Sequence, residues 1–158
     1  MRIGFGFDVH QIAELPPLKL GGVIVDDTRG LAGTSDADVL VHAVADAMLG
    51  AAALGDLGTF FPPDDERWLG ADSMQLLEQV LALVAAEGLH VGNVDTTVVA
   101  QEVRVNPYRS AIRESLADAL GVGLEQVSVK ATTTDLMGFL GRDEGVAAMA
   151  VVLLSADG

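Results

Sequence analysis

Met1-Arg2-Ile3-Gly4-Phe5-Gly6-Phe7-Asp8-Val9-His10-Gln11 begins the chain, and residues 2–9 have the composition of a β-strand. Asp8 and His10 are two positions apart, so both side chains point to one face of that strand. His42 lies in a segment with helical periodicity. If that helix packs over the strand end, two imidazoles and one carboxylate converge with a fourth position open, as in a catalytic zinc site. An ordinary hydrogen bond between Asp8 and His10 is the alternative.

The order of predicted elements indicates fold class α+β, in which one mixed β-sheet is covered by helices. Strands are expected at 2–9, at 17–25 with an interruption at Gly21-Gly22, and at 94–100, 127–131 and 145–154, the last being central. Helices are expected from Ser35-Asp36-Ala37-Asp38, a capping-box-like start, to about Leu54, from Asp72 or Ser73 to Gly88, and from Asn106-Pro107 to Gly121. The length of 158 residues favours a single domain over 1–158.

Asp38 and Asp46 each lie one turn from His42 on the first predicted helix. Either carboxylate could accept a hydrogen bond from the second ring N–H of His42 and so orient the imidazole. Solvation of both acids is the alternative, so the sequence leaves the partner of His42 open.

The charge balance restricts the classes of partner. Nine basic and 23 acidic residues give a formal net charge of −14, which disfavours nucleic acid and anionic membrane surfaces. Chemistry on a phosphate should therefore depend on bound cations. The sequence has no cysteine, which excludes disulfides and thiolate ligands. No signal peptide and no apolar run of membrane-spanning length is visible, so we expect a cytoplasmic protein without membrane association.

A run of hydroxyl side chains follows the predicted strand at 127–131. Lys130-Ala131-Thr132-Thr133-Thr134-Asp135 could hold a phosphate or a metal-bound phosphate. Threonine is also a common strand residue, so an ordinary strand end is the alternative. Arg142, a few residues later, is either a phosphate contact or a partner for Glu144.

Together these motifs resemble the 2-C-methyl-D-erythritol 2,4-cyclodiphosphate synthase family. The matching segments are Asp8-Val9-His10, Ser35-Asp36-Ala37-Asp38-Val39 with His42, Gly55-Asp56-Leu57-Gly58, Phe61-Pro62, Gly70-Ala71-Asp72-Ser73, Gly92-Asn93-Val94-Asp95, Lys130-Ala131-Thr132-Thr133-Thr134, and Gly138-Phe139 with Gly141-Arg142. They cover nearly the whole chain in order, so their joint specificity is high although several are weak individually.

The resemblance implies a homotrimer with an active site at each subunit junction, in the non-mevalonate route to isoprenoids. In the family's reaction, the 2-phosphate of 4-diphosphocytidyl-2-C-methyl-D-erythritol 2-phosphate attacks the β-phosphorus, which closes a cyclodiphosphate and releases CMP. The substrate is thus a small nucleotide-linked phosphate. An isoprenoid diphosphate on the three-fold axis, near Phe7, Phe139, Arg142 and Glu144, is a further implied ligand.

The resemblance also implies roles for individual residues. The metal ligands are Asp8, His10 and His42 for Zn²⁺, and Asp135 for a second divalent cation, Mg²⁺ or Mn²⁺. Catalytic positions are Thr133, Thr34 and Asp135. Substrate-binding positions are Asp8, His10, Thr34, Ser35, Asp56, Gly58, Phe61, Asp64, Asp65, Ala100, Arg104, Asn106, Thr132, Thr133, Asp135, Phe139 and Arg142.

Several positions depart from the family pattern. Thr34 stands where the family usually has histidine, and Asp135 where it has glutamate; Leu69 replaces a lysine, and Val103-Arg104 replaces Pro-Lys. Loss of one donor such as the histidine costs on the order of 10²–10³ in rate. Thr34 and Asp135 therefore keep open a non-catalytic or weakly active trimer that binds nucleotide or prenyl diphosphate. A zinc hydrolase is another alternative, for which the sequence identifies no general base.

Overall fold

A five-stranded mixed β-sheet, with helices packed on one face, organises the fold in the computed structural model, which describes residues 1–156. The strands are β1 (Arg2–Ala13), β2 (Leu18–Leu20), β3 (Val23–Asp26), β4 (Gly30–Leu31), β5 (Leu89–Val99), β6 (Val127–Thr132) and β7 (Gly145–Ala156). The helices are α1 (Val39–Ala52), α2 (Leu57–Phe60), α3 (Ser73–Ala86), α4 (Arg109–Leu120) and α5 (Gly138–Gly141), with 3₁₀ turns at Glu66–Trp68, Asn106–Tyr108 and Leu124–Gln126. The predicted fold class, α+β with a mixed sheet, is confirmed.

Strand order in the sheet is β4-β1-β7-β5-β6, and only the β5–β6 pair is parallel. The predicted central position of the last strand is confirmed, because β7 lies between β1 and β5. Val9 pairs with Ala147, Ala147 with Val99, and Val99 with Thr132. These four residues therefore form a row across the sheet, from the strand of the Asp-x-His pair to the strand of the threonine run.

Several element bounds differ from those predicted. The segment at 17–25 forms two strands, β2 and β3, which make a separate two-stranded sheet. β5 begins at Leu89 rather than 94, because a bulge between Val91 and Asn93 lets the strand continue through a glycine. The third long helix, α4, begins at Arg109 after a 3₁₀ turn that contains Pro107.

The start of α1 is also corrected. Its N-cap is Asp38, not Ser35. The Asp38 carboxylate is fully buried and accepts hydrogen bonds from the backbone N–H groups of Val41, Gly21 and Gly22, at 3.1, 3.0 and 2.7 Å. One side chain thus caps the helix and holds the β2–β3 turn, which explains why a buried acid is tolerated there.

The approach of α1 to β1 is unusually close and depends on two glycines. Gly4 and Gly6 lie on the face of β1 that packs on α1, and a Cβ atom at either position would overlap a backbone carbonyl oxygen of the helix, that of Ala47 or Ala43 respectively. Any other residue would push the helix away from the strand. These contacts fix the distance between β1 and the first turn of α1, where His42 lies.

The helices of the described part of the chain are too short or too polar to span a bilayer. The longest, α1 and α3, have 14 residues each.

Gly6→Ala should lower the free energy of unfolding by at least about 2 kcal/mol, because the added methyl group overpacks the β1–α1 contact. Gly50→Ala is the matched control: it lies within α1 with no atom within 4 Å of an added Cβ, and should raise stability by about 0.5–1 kcal/mol. Urea unfolding at equal protein concentration measures both changes. Equal stability of Gly6→Ala and wild type would mean that the helix approaches the strand less closely.

Candidate active site

Asp8, His10 and His42 meet at the junction of β1 and α1. Asp8 Oδ2 lies 2.9 Å from His10 Nε2 and 3.0 Å from His42 Nδ1, and the two nitrogens are 3.1 Å apart. Side-chain alternation along β1 places the first two residues on the helix-facing side, and the close approach of α1 brings in the third. The predicted convergence is confirmed, and these three residues could hold a metal ion.

Oxygen atoms lie beside the ring nitrogens of His10 and His42 that point away from Asp8. None of these oxygens belongs to the two acids predicted as partners of His42. His10 Nδ1 lies 2.6 Å from the carbonyl oxygen of Ala32. His42 Nε2 lies 3.0 Å from Ser73 Oγ and 3.1 Å from Ser35 Oγ. Neither predicted acid orients His42: the Asp38 carboxylate is taken by backbone N–H groups, and Asp46 accepts a hydrogen bond from the Leu57 N–H at 2.7 Å.

Charge at the triad favours a cation between the three ligand atoms. Burial alone would raise the pKa of Asp8, but hydrogen bonds to His10 and His42 hold it well below its usual range. Burial alone would lower the pKa of His10, but the hydrogen bond to Asp8 and the charge of Asp8 outweigh that effect, so the pKa of His10 is raised overall. A metal ion bound between the three ligand atoms would compete with protons for the same positions.

A cavity of about 260 Å³ opens beside the triad. Predicted substrate-binding residues on its wall are Asp8, His10, Thr34, Ser35, Gly58 and Phe61. The hydroxyl of Thr34 donates a long hydrogen bond, 3.4 Å, to the carbonyl oxygen of Pro63. Asp56, Asp64 and Asp65 are not on the wall; Asp56 caps α2, and Asp65 caps the following 3₁₀ turn and pairs with Arg67.

A second cavity of about 310 Å³ lies near the opposite edge of the sheet, between the 100–107 loop and the end of β6. It brings together five predicted residues: Ala100, Arg104, Asn106, Thr132 and Thr133. Asp135 is not on its wall, but its backbone N–H donates to Thr133 Oγ1 at 3.2 Å, and the Thr133 hydroxyl lies 3.3 Å from its Oδ1.

The two cavities do not meet within one chain. Val9, between Asp8 and His10, is three strands away from Thr132 in the row across the sheet, a separation of about 14 Å. Asp135 is not among the groups near the triad in residues 1–156. A single phosphate cannot touch the triad and the threonine run of the same chain.

Phe139 and Arg142 belong to neither cavity. Phe139 lies in α5, and the Arg142 guanidinium pairs with Glu144 at 2.7 Å, so the second of its two predicted alternatives is observed. Sequence reasoning missed the wall residue Trp68 and the contact of Ser73 with His42, and it considered Asp46 only as a partner of His42, not as a wall residue. Ser73 was visible only as part of a motif at a helix start, where the spacing gives no sign of a partner 31 positions away.

The pKa shifts predict the pH dependence of the metal-free protein. Because the folded-state pKa of His10 is raised above its ordinary 6.5, the stabilisation from its pair with Asp8 is complete below that pH and is lost as the pH rises through the raised value. Urea midpoints measured with a chelator should therefore fall from pH ~6.5 to pH ~9, and Asp8→Asn should flatten that fall. An equal fall in both proteins would disprove the role of the pair.

Comparison with known proteins gives close matches over nearly the whole chain. The YgbB family pattern matches residues 1–155. A protein of Moorella thermoacetica named 2-C-methyl-D-erythritol 2,4-cyclodiphosphate synthase is 58% identical over 154 residues, which are 98% of this chain and 94% of that protein. One of the same name from Pseudomonas aeruginosa is 54% identical over 99% of both chains.

Solved structures agree. The bifunctional IspDF of Campylobacter jejuni matches with a TM-score of 0.96 and 41% identity, over 99% of this chain and 42% of that longer one. IspF of Plasmodium falciparum in complex with CDP matches with a TM-score of 0.87 and 31% identity, over 99% of this chain and 97% of that one. The chain belongs to the YgbB family, among the 2-C-methyl-D-erythritol 2,4-cyclodiphosphate synthases.

Proposed function

We propose that this protein converts 4-diphosphocytidyl-2-C-methyl-D-erythritol 2-phosphate to 2-C-methyl-D-erythritol 2,4-cyclodiphosphate and CMP. The observation that most supports this function is the Asp8-His10-His42 triad at the wall of a cavity, in a chain that is 58% identical to a protein named for that reaction. The reaction belongs to isoprenoid biosynthesis, and the enzyme is a lyase.

The chemistry requires alignment more than a reactive side chain. An oxygen of the 2-phosphate forms a bond to the β-phosphorus, and the bond from that phosphorus to the bridging oxygen breaks, so that CMP leaves with the electron pair. Attacker and electrophile are in one molecule, so the protein must fold the substrate and offset its charge. A chain with a net charge of −14 needs bound cations for this purpose.

We assign Zn²⁺ to the triad, because one carboxylate and two imidazoles with an open position are its usual catalytic donor set. Bound there, the ion supplies Lewis-acid polarisation of a phosphate oxygen. His10 and His42 hold their ligating nitrogens towards Asp8. Thr34, whose present hydrogen bond is long, can turn its hydroxyl to a phosphate in the cavity, while Gly58 and Phe61 form the wall against the erythritol carbon chain.

We assign the second cavity to the cytidine diphosphate half of the substrate. Its wall combines Ala100 and Asn106 with a cationic residue, Arg104, and two hydroxyl-bearing residues, Thr132 and Thr133. In this assignment Thr133 positions the diphosphate. Asp135, joined to Thr133 by hydrogen bonds, takes a second divalent cation, Mg²⁺ or Mn²⁺, which both prefer carboxylate oxygen.

The separation of the two cavities supports a homotrimer with shared sites. About 14 Å of sheet divides them in one chain, so the threonine run facing each triad would come from a neighbouring copy. The outer face of the sheet also supports assembly: Ile3, Phe5 and Phe7 on β1 are 74%, 63% and 49% exposed, beside Met149 and Val151 on β7. An apolar surface of this kind is typical of a subunit interface.

An isoprenoid diphosphate on the three-fold axis is a subordinate proposal. Phe139, Glu144 and Val9 line a shallow cavity beside the outer apolar face. Arg142, already paired with Glu144, would supply positive charge for the diphosphate.

The non-catalytic alternative still rests on Thr34 and Asp135, the two positions that depart from the family pattern at catalytic residues. One assay decides between the two functions. With Zn²⁺ and Mg²⁺ present, phosphorus NMR should show the substrate converted to cyclodiphosphate and CMP, and chelation should abolish the conversion. His42→Ala should lower the rate at least about 10²-fold, and His90→Ala, at a surface position of β5 outside both cavities, should leave it unchanged. Intact substrate, together with CDP binding measured in a separate titration, would favour the non-catalytic alternative.

If each active site is shared between two subunits, two variants that are inactive for different reasons should complement each other. His42→Ala damages the triad and Thr133→Ala the threonine run, so neither homotrimer should turn over. Mixed trimers refolded from equal amounts of both should recover activity at about a quarter of the junctions, those that pair an intact triad with an intact threonine run. Activity measured against subunit ratio tests this, with the separately refolded variants as controls. Mixed trimers without activity would place each site within one chain.

A further inference from the structure

Ser73 joins His42 to a carboxylate that is not part of the triad. It is the first residue of α3 and is fully buried. Its Oγ lies 3.0 Å from His42 Nε2, and its hydroxyl donates a short hydrogen bond to Asp36 Oδ1, which also accepts the Ser73 backbone N–H at 3.1 Å. Three side chains from three segments thus form one hydrogen-bonded line that ends at the triad.

Hydrogen-bond roles along this line are determined by the carboxylate. An ionised carboxylate only accepts, so the single hydroxyl proton of Ser73 points to Asp36. Towards His42 the same oxygen can then only accept. A cation held by the triad would bind His42 through Nδ1, the atom 3.0 Å from Asp8 Oδ2, so the proton of that imidazole would be on Nε2, where Ser73 accepts it.

Lys19 keeps Asp36 ionised in this role. Its Nζ lies 3.0 Å from Asp36 Oδ2, the oxygen opposite the one that faces Ser73. Burial raises the pKa of Asp36, but the Ser73 hydrogen bond and the charge of Lys19 outweigh that effect, so the pKa is lowered. Asp36 therefore stays an acceptor at neutral pH.

Ser35 is the competing partner of His42, and its geometry does not determine a tautomer. Its Oγ lies 3.1 Å from His42 Nε2 and accepts the Ala37 backbone N–H at 3.2 Å. Since no carboxylate takes its hydroxyl proton, Ser35 can donate to His42 as readily as it can accept. On the Nε2 side of the ring, only Ser73 is an obligatory acceptor; on the Nδ1 side the ionised Asp8 carboxylate is one as well.

We propose that Asp36, acting through the Ser73 hydroxyl, is a positioning residue that gives the Nε2–H of His42 an acceptor and so favours the binding of a metal ion at Nδ1. The inference rests on the proposed metal-dependent function and adds to it residues outside the triad that set metal affinity. Hydrogen bonds behind a ligating histidine have this effect in metal sites generally.

The direct test is proton–nitrogen NMR of the zinc-loaded, ¹⁵N-histidine-labelled protein. In wild type the Nε2–H proton of His42 should be visible and slow to exchange with water, because Ser73 accepts it. Ser73→Ala and Asp36→Ala should each speed its exchange and shift its resonance, because the first removes the acceptor and the second frees the Ser73 proton to point to His42. Ser35→Ala should keep the wild-type pattern. An unchanged pattern in Asp36→Ala, or a change in Ser35→Ala alone, would overturn the proposal.

Zinc affinity, measured by competition with a chromophoric chelator, supplies the second readout. Ser73→Ala and Asp36→Ala should bind Zn²⁺ about 10–100-fold more weakly than wild type. Ser110→Ala, an exposed position on α4, should bind it equally well. Asp36→Ala, at a half-buried position, decides the question if Ser73→Ala does not fold. Unchanged zinc affinity in Asp36→Ala would contradict the proposal.

These measurements need no substrate, so the inference and the proposed function can fail separately. Wild type that makes no cyclodiphosphate but shows the slowly exchanging Nε2–H proton of His42 would leave the Asp36–Ser73 line intact and reject only the activity. Wild type that makes product, while Asp36→Ala leaves both this proton and the zinc affinity unchanged, would reject only the line.

Discussion

The close contact of α1 with β1 is the constraint on which the rest of this structure depends. Gly4 and Gly6 leave space for the carbonyl oxygens of Ala47 and Ala43, so the helix lies against the strand backbone itself. Asp8 and His10 are the next two residues on the same face of the strand. A helix held further away by ordinary side chains would leave His42 out of reach of Asp8, and the site would lack one of its three ligand atoms. Packing and site geometry are therefore one property of this segment.

Buried polar groups around the helix start are satisfied in a connected way. Asp38 serves the cap of α1 and the β2–β3 turn, and Asp36 serves Lys19 and the first residue of α3. Two acids two positions apart thus bind two separate segments, the β2–β3 hairpin and the start of α3, to one end of α1. Because an unpaired buried acceptor costs about 1–3 kcal/mol, separating these segments from the start of α1 is unfavourable, and this helix carries His42.

Residue spacing along the chain correctly predicted those parts of the fold and of the site that lie within one strand. The two-residue spacing of Asp8 and His10 implies one strand face, and the apolar run at 145–154 implies a central strand; the structure agrees on both. The prediction failed where two nearby residues were equally good candidates for one role. Ser35 and Asp38 are both good caps, and only the buried N–H groups of Gly21 and Gly22 favour Asp38. The Ser73–His42 contact and the distance between triad and threonine run depend on tertiary topology, which no spacing along the chain encodes.

The exposed face of β1 has a kinetic consequence. A chain that has completed its own fold still presents Ile3, Phe5 and Phe7 to water, next to Met149 and Val151. Covering that surface requires an encounter with another molecule, so its rate depends on concentration, whereas the preceding fold of the chain does not. If the proposed trimer covers that surface, a finished monomer at low concentration exposes an aggregation-prone apolar face until it meets a second copy.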